Sequence, residues 1–185
     1  MSSETARREQ PSRLQIAISG KSGCGNSTVS RLVAANLGLR VVNYTFKDLA
    51  RERGMTFEDV LALAETDSQY DLTLDRAQVA LAAKGGCVLG SRLAIWLLRG
   101  SAFTVYLSAP LSVRAARIAR RDGKDTAAAL EETEDRDRRD RDRYLRLYGY
   151  DVDVFDFATL VVDATLSQDQ VAARIVEQAA EMTGT

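Results

Sequence analysis

The sequence predicts an α/β domain with a parallel five-stranded sheet and helices on both faces. Two observations carry that expectation. Short apolar runs rich in β-branched residues recur along the chain, and stretches with apolar residues at helical spacing separate them. Strands of a parallel sheet are covered on both faces by crossover helices, so they read as continuous apolar runs rather than alternating ones. Taken in order, Leu14–Ser19 (LQIAIS) is the first such strand and stops at Gly20. From Thr28 to Leu37, Val29, Leu32, Val33 and Leu37 share a helical face, and Gly38 ends the helix. Leu39–Val42 is the second strand. Phe46–Gly54, Thr56–Thr66 and Tyr70–Lys84 read as helices, followed by the Gly85–Gly86 break and a third strand, Cys87–Leu89. Arg92–Leu98 reads as helical, Phe103–Leu107 (FTVYL) as the fourth strand and Leu111–Arg121 as a helix. Asp125–Tyr148 is a long charged helical region, Leu160–Val162 the fifth strand and Gln168–Met182 a last amphipathic helix. Met1–Arg13 is polar and holds Pro11, which reads as a flexible tail ahead of one domain over 14–185.

Composition narrows the chemistry. With 45% hydrophobic and 28% charged residues among 185, the chain falls in the range of folded globular domains. The net charge of −1 gives no overall positive field, so nucleic acid is not expected as a partner. There is no histidine, which excludes His-dependent triads, His metal sites and imidazole acid–base chemistry. Cys24 and Cys87 are too few for a disulfide scaffold or a four-cysteine zinc site. Met1–Arg13 lacks the apolar core of a signal peptide, and no window offers the roughly 18–20 apolar residues of a membrane span. The expectation is a cytoplasmic protein with reduced thiols and no membrane partner. Lys21, Lys47, Lys84 and Lys124 are the only lysines among 25 basic residues.

In parallel α/β sheets ligands bind beyond the carboxyl ends of the strands. Here those ends are Gly20–Ser27, Asn43–Lys47, Gly90–Arg92 and the stretch after Leu107. The first carries the run Gly20, Lys21, Ser22, Gly23, Cys24, Gly25, Asn26, Ser27, Thr28 between a strand and a helix. A phosphate loop reads G-x-x-x-x-G-K-[ST] in that context. Gly20, Gly25 and Ser27 fit, and Asn26 stands where the lysine belongs. Converging backbone N–H groups and the helix N-terminus favour phosphate, and Ser27 places a hydroxyl for Mg²⁺. A Gly-rich turn that binds nothing is the plain alternative. Asn26 brings no positive charge to the β- and γ-phosphates, which Lys21 can supply from the second loop position, in its own subunit or across a dimer. GKSGCGNS is similar to the deviant phosphate loops of certain ATPases, which carry an extra lysine there. Cys24 lies near the same helix N-terminus, which favours a thiolate and redox sensitivity; a small side chain packed against phosphate is the other reading.

Glu131–Arg146 holds thirteen charges in sixteen residues, six of them arginine and none lysine. A solvated helix laced with i,i+4 pairs is the plain reading. Arginine's planar fork, however, suits phosphates. Arg136, Asp140 and Arg143 share one helix face, and Arg139, Arg143 and Arg146 an adjacent one. Such a face can clamp a phosphate ester, which phosphoryl transfer requires.

The chain resembles the cytidylate kinases, phosphate-loop nucleoside-monophosphate kinases, and is most similar to their short archaeal-type branch. The resemblance runs over Leu14–Glu177. It rests on GKSGCGNST, KDLARERGMTFEDVLALAE, VLGSRLAIWLL, LSAPLSVRAARIARRDG and above all EETEDRDRRDRDRYLRLYGYDVDVFD. It implies a P-loop NTPase fold with a helical lid over about 122–148, ATP as co-substrate, Mg²⁺ as cofactor and CMP or dCMP as acceptor. It implies that Gly20 to Thr28 hold the ATP phosphates and that Arg117 and Arg121 face ATP. Lys47 and Arg92 would grip the acceptor phosphate, and Arg136, Asp140 and Arg143 would bind CMP. Arg139 would stand near the transferring phosphoryl, and Arg76 and Gln78 would border the acceptor. Lys21, Arg136 and Arg139 are the expected catalytic groups, in a monomer or homodimer. Three departures stand out: Asn26, a shortened segment before Lys47, and Gly90 where an acid usually sits. The rival expectations are a small kinase for another acceptor and a nucleotide-binding protein without turnover.

Overall fold

The structure is a computed structural model and describes residues 14–183. The tail expected over Met1–Arg13 lies outside the described residues. Five strands form one sheet: β1 (Gln15–Gly20), β2 (Arg40–Val42), β3 (Cys87–Gly90), β4 (Phe103–Ser108) and β5 (Leu160–Asp163). Their order is β2-β3-β1-β4-β5, and every neighbouring pair is parallel. The connecting helices are α1 (Asn26–Leu37), α2 (Phe46–Arg53), α3 (Phe57–Thr66), α4 (Gln69–Ala82), α5 (Ala94–Leu97), α6 (Leu111–Asp122), α7 (Thr126–Tyr148) and α8 (Gln168–Thr183).

Strand side chains alternate between the two faces, and both faces are buried. Ile16, Ile18, Phe103, Val105 and Leu107 pack with α1 and α8 through Val29, Val33, Val171 and Ile175. Ala17, Leu89 and Tyr106 face the other way, against Trp96 of α5, Ala82 of α4, and Tyr144 of α7. A third, smaller cluster of Leu49, Ala50 and Val60 joins α2 and α3. Expected strands and helices are all present, with ends shifted by a residue or two. The region expected as a helix over Arg92–Leu98 holds one short helix, Ala94–Leu97. Helix α1 starts at Asn26 rather than Thr28, because Gly25 at φ +97° turns the loop directly into the helix.

Two local features fix the floor of the strand ends. At Gly90 a Cβ would overlap Ser30 Oγ and lie 2.8 Å from Ser30 Cβ. The missing acid at this position is thereby explained: α1 packs too close to β3 for any side chain. On the opposite face the Tyr148 hydroxyl donates to Asp75, fastening the end of α7 to α4. Asp75 is 9% exposed, and burial pushes its carboxyl up to about 6.

Gly90→Ala should cost about 1–3 kcal/mol by overpacking, read as a lower urea midpoint, with Ser30→Ala restoring part of it. An unchanged midpoint would show that α1 gives way freely. For Asp75 the folded value lies above the unfolded one of about 3.9. Its contribution is therefore complete below about pH 4 and lost as pH rises through about 6. Asp75→Asn should exceed the parent in stability above pH 7 and converge with it toward pH 4, by urea melts across that range.

Candidate active site

The loop from β1 to α1 borders a cleft of about 740 Å³. Lys21, Ser22, Gly23, Gly25, Asn26, Ser27 and Thr28 line one side, with Arg117, Arg120 and Arg121 of α6 and Gln168 of α8 opposite. Asn26 does not reach across it. Its Nδ2 donates to Gly20 O at 2.7 Å, closing the loop on itself, and its Oδ1 is buried without a partner. The side chain at the lysine position thus serves the loop's shape. The cleft's cations come instead from Lys21, Arg92 and the α6 arginines. Arg117 also donates to Thr165 O and Leu166 O at 3.4 Å, and Arg121 pairs with Asp122 at 2.6 Å.

A second cleft, about 1070 Å³, lies between α7 and the end of α3. Arg136, Arg139, Asp140, Arg143 and Arg146 of α7 line it, with Asp71 of α4 and again Arg92. Arg92 therefore stands where the two clefts meet. It is held there by Asp140 at 2.6 Å. Arg136 also spans the junction, donating to Ser22 Oγ of the loop at 3.5 Å.

Several charges of α7 reach other elements. Besides Asp140 to Arg92 and Arg136 to Ser22, Asp137 pairs with Arg114 of α6 at 2.8 Å. Arg143 pairs with Asp71, and Arg141 binds Asp151 through Nε at 2.8 Å and Nη2 at 2.6 Å. The i,i+3 pair Asp135–Arg138 stays within the helix. Burial pushes the carboxyls of Asp71 and Asp140 up against the pull of their arginines. Both pairs therefore sit in partly dry surroundings, where charge interactions are strong.

Of the expected residues, Gly20 adjoins a small void of about 20 Å³ under Lys21 and Arg92. Ser22 to Thr28, apart from Cys24, line the first cleft together with Arg117 and Arg121. Cys24 is only 3% exposed, and burial raises its thiol. Both features run against an activated thiol, and Cys24 packs in the core with Val29 and Ile18 rather than on the cleft wall. Lys47 is not brought to either cleft and lies over the Phe57 ring at 5.4 Å. Arg76 is exposed, and Gln78 donates to Tyr44 O at 2.9 Å, both away from the lining.

Arg114, Asp71 and Asp153 went unread in the sequence. Arg114 is 4% exposed and donates to Ala109 O at 3.1 Å and Ser22 O at 3.0 Å, besides its bond to Asp137. It ties the phosphate loop to α6 and α7 at once. Its signal was a charged residue four before Ile118 on the apolar stripe of α6. Asp71 and Asp75 carried the same signal, acids spaced i,i+4 with Gln78 on one buried face of α4. Lys21 Nζ meets Asp153 Oδ1 at 2.6 Å, a contact without local sequence signal.

Among the described residues no group of three or more acidic, cysteine or histidine side chains gathers for a metal. The cleft offers neutral oxygens, among them the Ser27 hydroxyl on its wall and Ser91 Oγ, which is buried without a partner. Such a donor set fits a hard cation brought in on nucleotide phosphates and held by one or two protein oxygens. No helix among the described residues is long and apolar enough to cross a membrane.

Residues 15–166 match the model of the cytidylate kinase-like family. Cytidylate kinase 2 of Borreliella afzelii is 43% identical over 156 residues, covering 82% of this chain and 88% of the relative. Cytidylate kinase of Aeropyrum pernix is 39% identical over 170 residues, covering 90% and 99%. The fold is similar to shikimate kinase from Acinetobacter baumannii, with a TM-score of 0.63 over 93% of this chain and 96% of that one at 16% identity. That likeness shows a shared fold. With its five-stranded parallel sheet, its phosphate loop and relatives matched over most of their length, the chain belongs to the cytidylate kinase-like family.

Proposed function

We infer that the protein transfers the γ-phosphoryl of ATP to the 5′-phosphate of CMP, giving ADP and CDP, and that it accepts dCMP in the same cleft. One observation carries the reading. The phosphate-loop cleft and the arginine-lined cleft meet at Arg92, so a donor in one and an acceptor in the other are brought end to end. In-line transfer needs that alignment and charge neutralisation more than covalent help. The bond between the β–γ bridging oxygen and the γ-phosphorus breaks as an oxygen of the CMP phosphate bonds to that phosphorus. The acceptor oxygen is already anionic, so no general base is required and the absence of histidine is no obstacle.

The loop's backbone N–H groups and the N-terminus of α1 take the ATP phosphates, with Arg117 and Arg121 on the far wall. Arg136, in contact with Ser22 and lining the acceptor cleft, spans the line of transfer. Arg139 lines the acceptor cleft beside it. Lys21 supplies the loop cation that Asn26 does not. Mg²⁺, when bound on the nucleotide beside Ser27, would neutralise charge on the β- and γ-phosphates.

The acceptor base is read by Asp71 and Arg143. Paired at the cleft, they set a carboxylate acceptor beside guanidinium donors, and Arg143 Nε is buried without a partner. Cytosine presents the complement: an amino donor at N4 next to acceptors at N3 and O2. Uracil would turn its O4 toward the carboxylate. Arg92 and Asp140 offer a cation for the acceptor phosphate and an acid for ribose hydroxyls.

A coupled assay for ADP with CMP, dCMP, UMP and AMP should show turnover with CMP and dCMP; no ADP above the ATPase background with any acceptor would refute the reading. Lys21→Met should lower kcat by about 100-fold or more, and unchanged turnover would remove Lys21 from its role. Asp71→Asn should cut the ratio of kcat/KM for CMP over UMP by about tenfold or more; an unaltered ratio would mean that the base is read elsewhere.

A further inference from the structure

The ammonium that the phosphate loop offers is already engaged. Lys21 Nζ lies 2.6 Å from Asp153 Oδ1, in the segment between α7 and β5. The lysine lines the phosphate cleft, but Asp153 does not. Arg141 of α7 approaches the same acid, with Nε 3.3 Å from Asp153 Oδ2. Asp151, two residues earlier, is fully taken by Arg141, whose hydrogen bonds hold its carboxyl down at about 2. Asp153 is therefore the acid left for Lys21.

The acid stands on a fixed support. Phe155 stacks on Tyr106 with ring centroids 3.7 Å apart, and Phe157 meets Trp96 edge-on at 5.7 Å. Arg99 covers Phe157, and Val152 is buried in the core. Asp153 N–H donates to Asp151 Oδ1 at 3.0 Å, which fixes the backbone between them. The movable partner is the four-carbon lysine stem, whose compact ammonium turns readily from one anion to another.

We propose that Asp153 is a positioning residue that parks Lys21 off the nucleotide phosphates, so that ATP must win the ammonium from Asp153 as it binds. The proposal rests on the reading of Lys21 as the loop's cation. The side chains of the pair are 32% and 42% exposed, so the pair is screened and weak. A triphosphate in the adjoining cleft concentrates more negative charge than one carboxylate, and the exchange runs toward ATP. Asp153 is then left to Arg141, which places the released acid on the helix that lines the acceptor cleft.

A mutant cycle tests this by calorimetric ATP binding without CMP, with kcat and KM measured alongside. Asp153→Asn should tighten ATP binding about two- to fivefold and lower the KM for ATP while kcat is retained. Asp153→Glu, which keeps the carboxylate, should bind ATP as the parent does. In the Lys21→Met background Asp153→Asn should add nothing. Parental or weaker ATP binding by a folded Asp153→Asn would overturn the proposal. So would tightening of equal size in the Lys21→Met background, which would mark the general field of the acid rather than its hold on Lys21. If Lys21→Met keeps full turnover, the reading of Lys21 as the cation fails. If Lys21→Met loses turnover while Asp153→Asn binds ATP as the parent does, only the parking by Asp153 fails.

Discussion

Positive charge at the phosphate loop is the scarce quantity in this molecule. The loop position that would carry a lysine holds Asn26, and the amide folds back onto Gly20 O at 2.7 Å. Phosphoryl transfer gathers negative charge on the β- and γ-phosphates, and a neutral amide does nothing to offset it. Cations from the surrounding chain line the cleft instead: Lys21 from the loop, Arg92 from the end of β3, Arg117, Arg120 and Arg121 from α6. Each must be kept separate from the others and aimed, and acids do that work. Asp140 holds Arg92, Asp122 holds Arg121, and Asp153 holds Lys21.

The same logic explains why α7 alternates acids with arginines. A helix with such a sequence could have satisfied itself through i,i+4 pairs worth a few tenths of a kcal/mol each. Instead Asp137, Asp140, Arg136, Arg141 and Arg143 reach α6, the end of β3, the phosphate loop, the segment before β5 and α4. Half-buried pairs of this kind contribute little net stability once desolvation is counted, and removing one partner is costly. Their return is geometric. They fix α7 against both clefts, with Arg139 and Arg146 lining the second.

Much of this was legible in the sequence, for definite reasons. The strands announced themselves because each is covered on both faces; Ile16, Ala17 and Ile18 are fully buried in succession. The phosphate loop was legible because a glycine-bounded run stood between a strand and a helix. The arginine-lined face of α7 was legible because arginine without lysine is an unusual choice for a solvated surface. What escaped depends on contacts between residues far apart in sequence. Arg114 bonds to Ser22 across 92 positions, and Arg143 to Asp71 across 72; nothing local in a chain records the partner. The loss of the acid at Gly90 could be seen but not explained until Ser30 was found against it. Lys47 was assigned by resemblance, and from the first turn of α2 it lies over Phe57 instead.

A crystal structure with a non-hydrolysable ATP analogue, Mg²⁺ and CMP would bear on these points together, since it shows which cation meets the transferring phosphoryl. The expected result has Lys21 Nζ within about 3 Å of β- or γ-phosphate oxygens, released from Asp153, with CMP between Arg92 and the Asp71–Arg143 pair. Lys21 still bound to Asp153, with the γ-phosphate neutralised by another side chain, would contradict it.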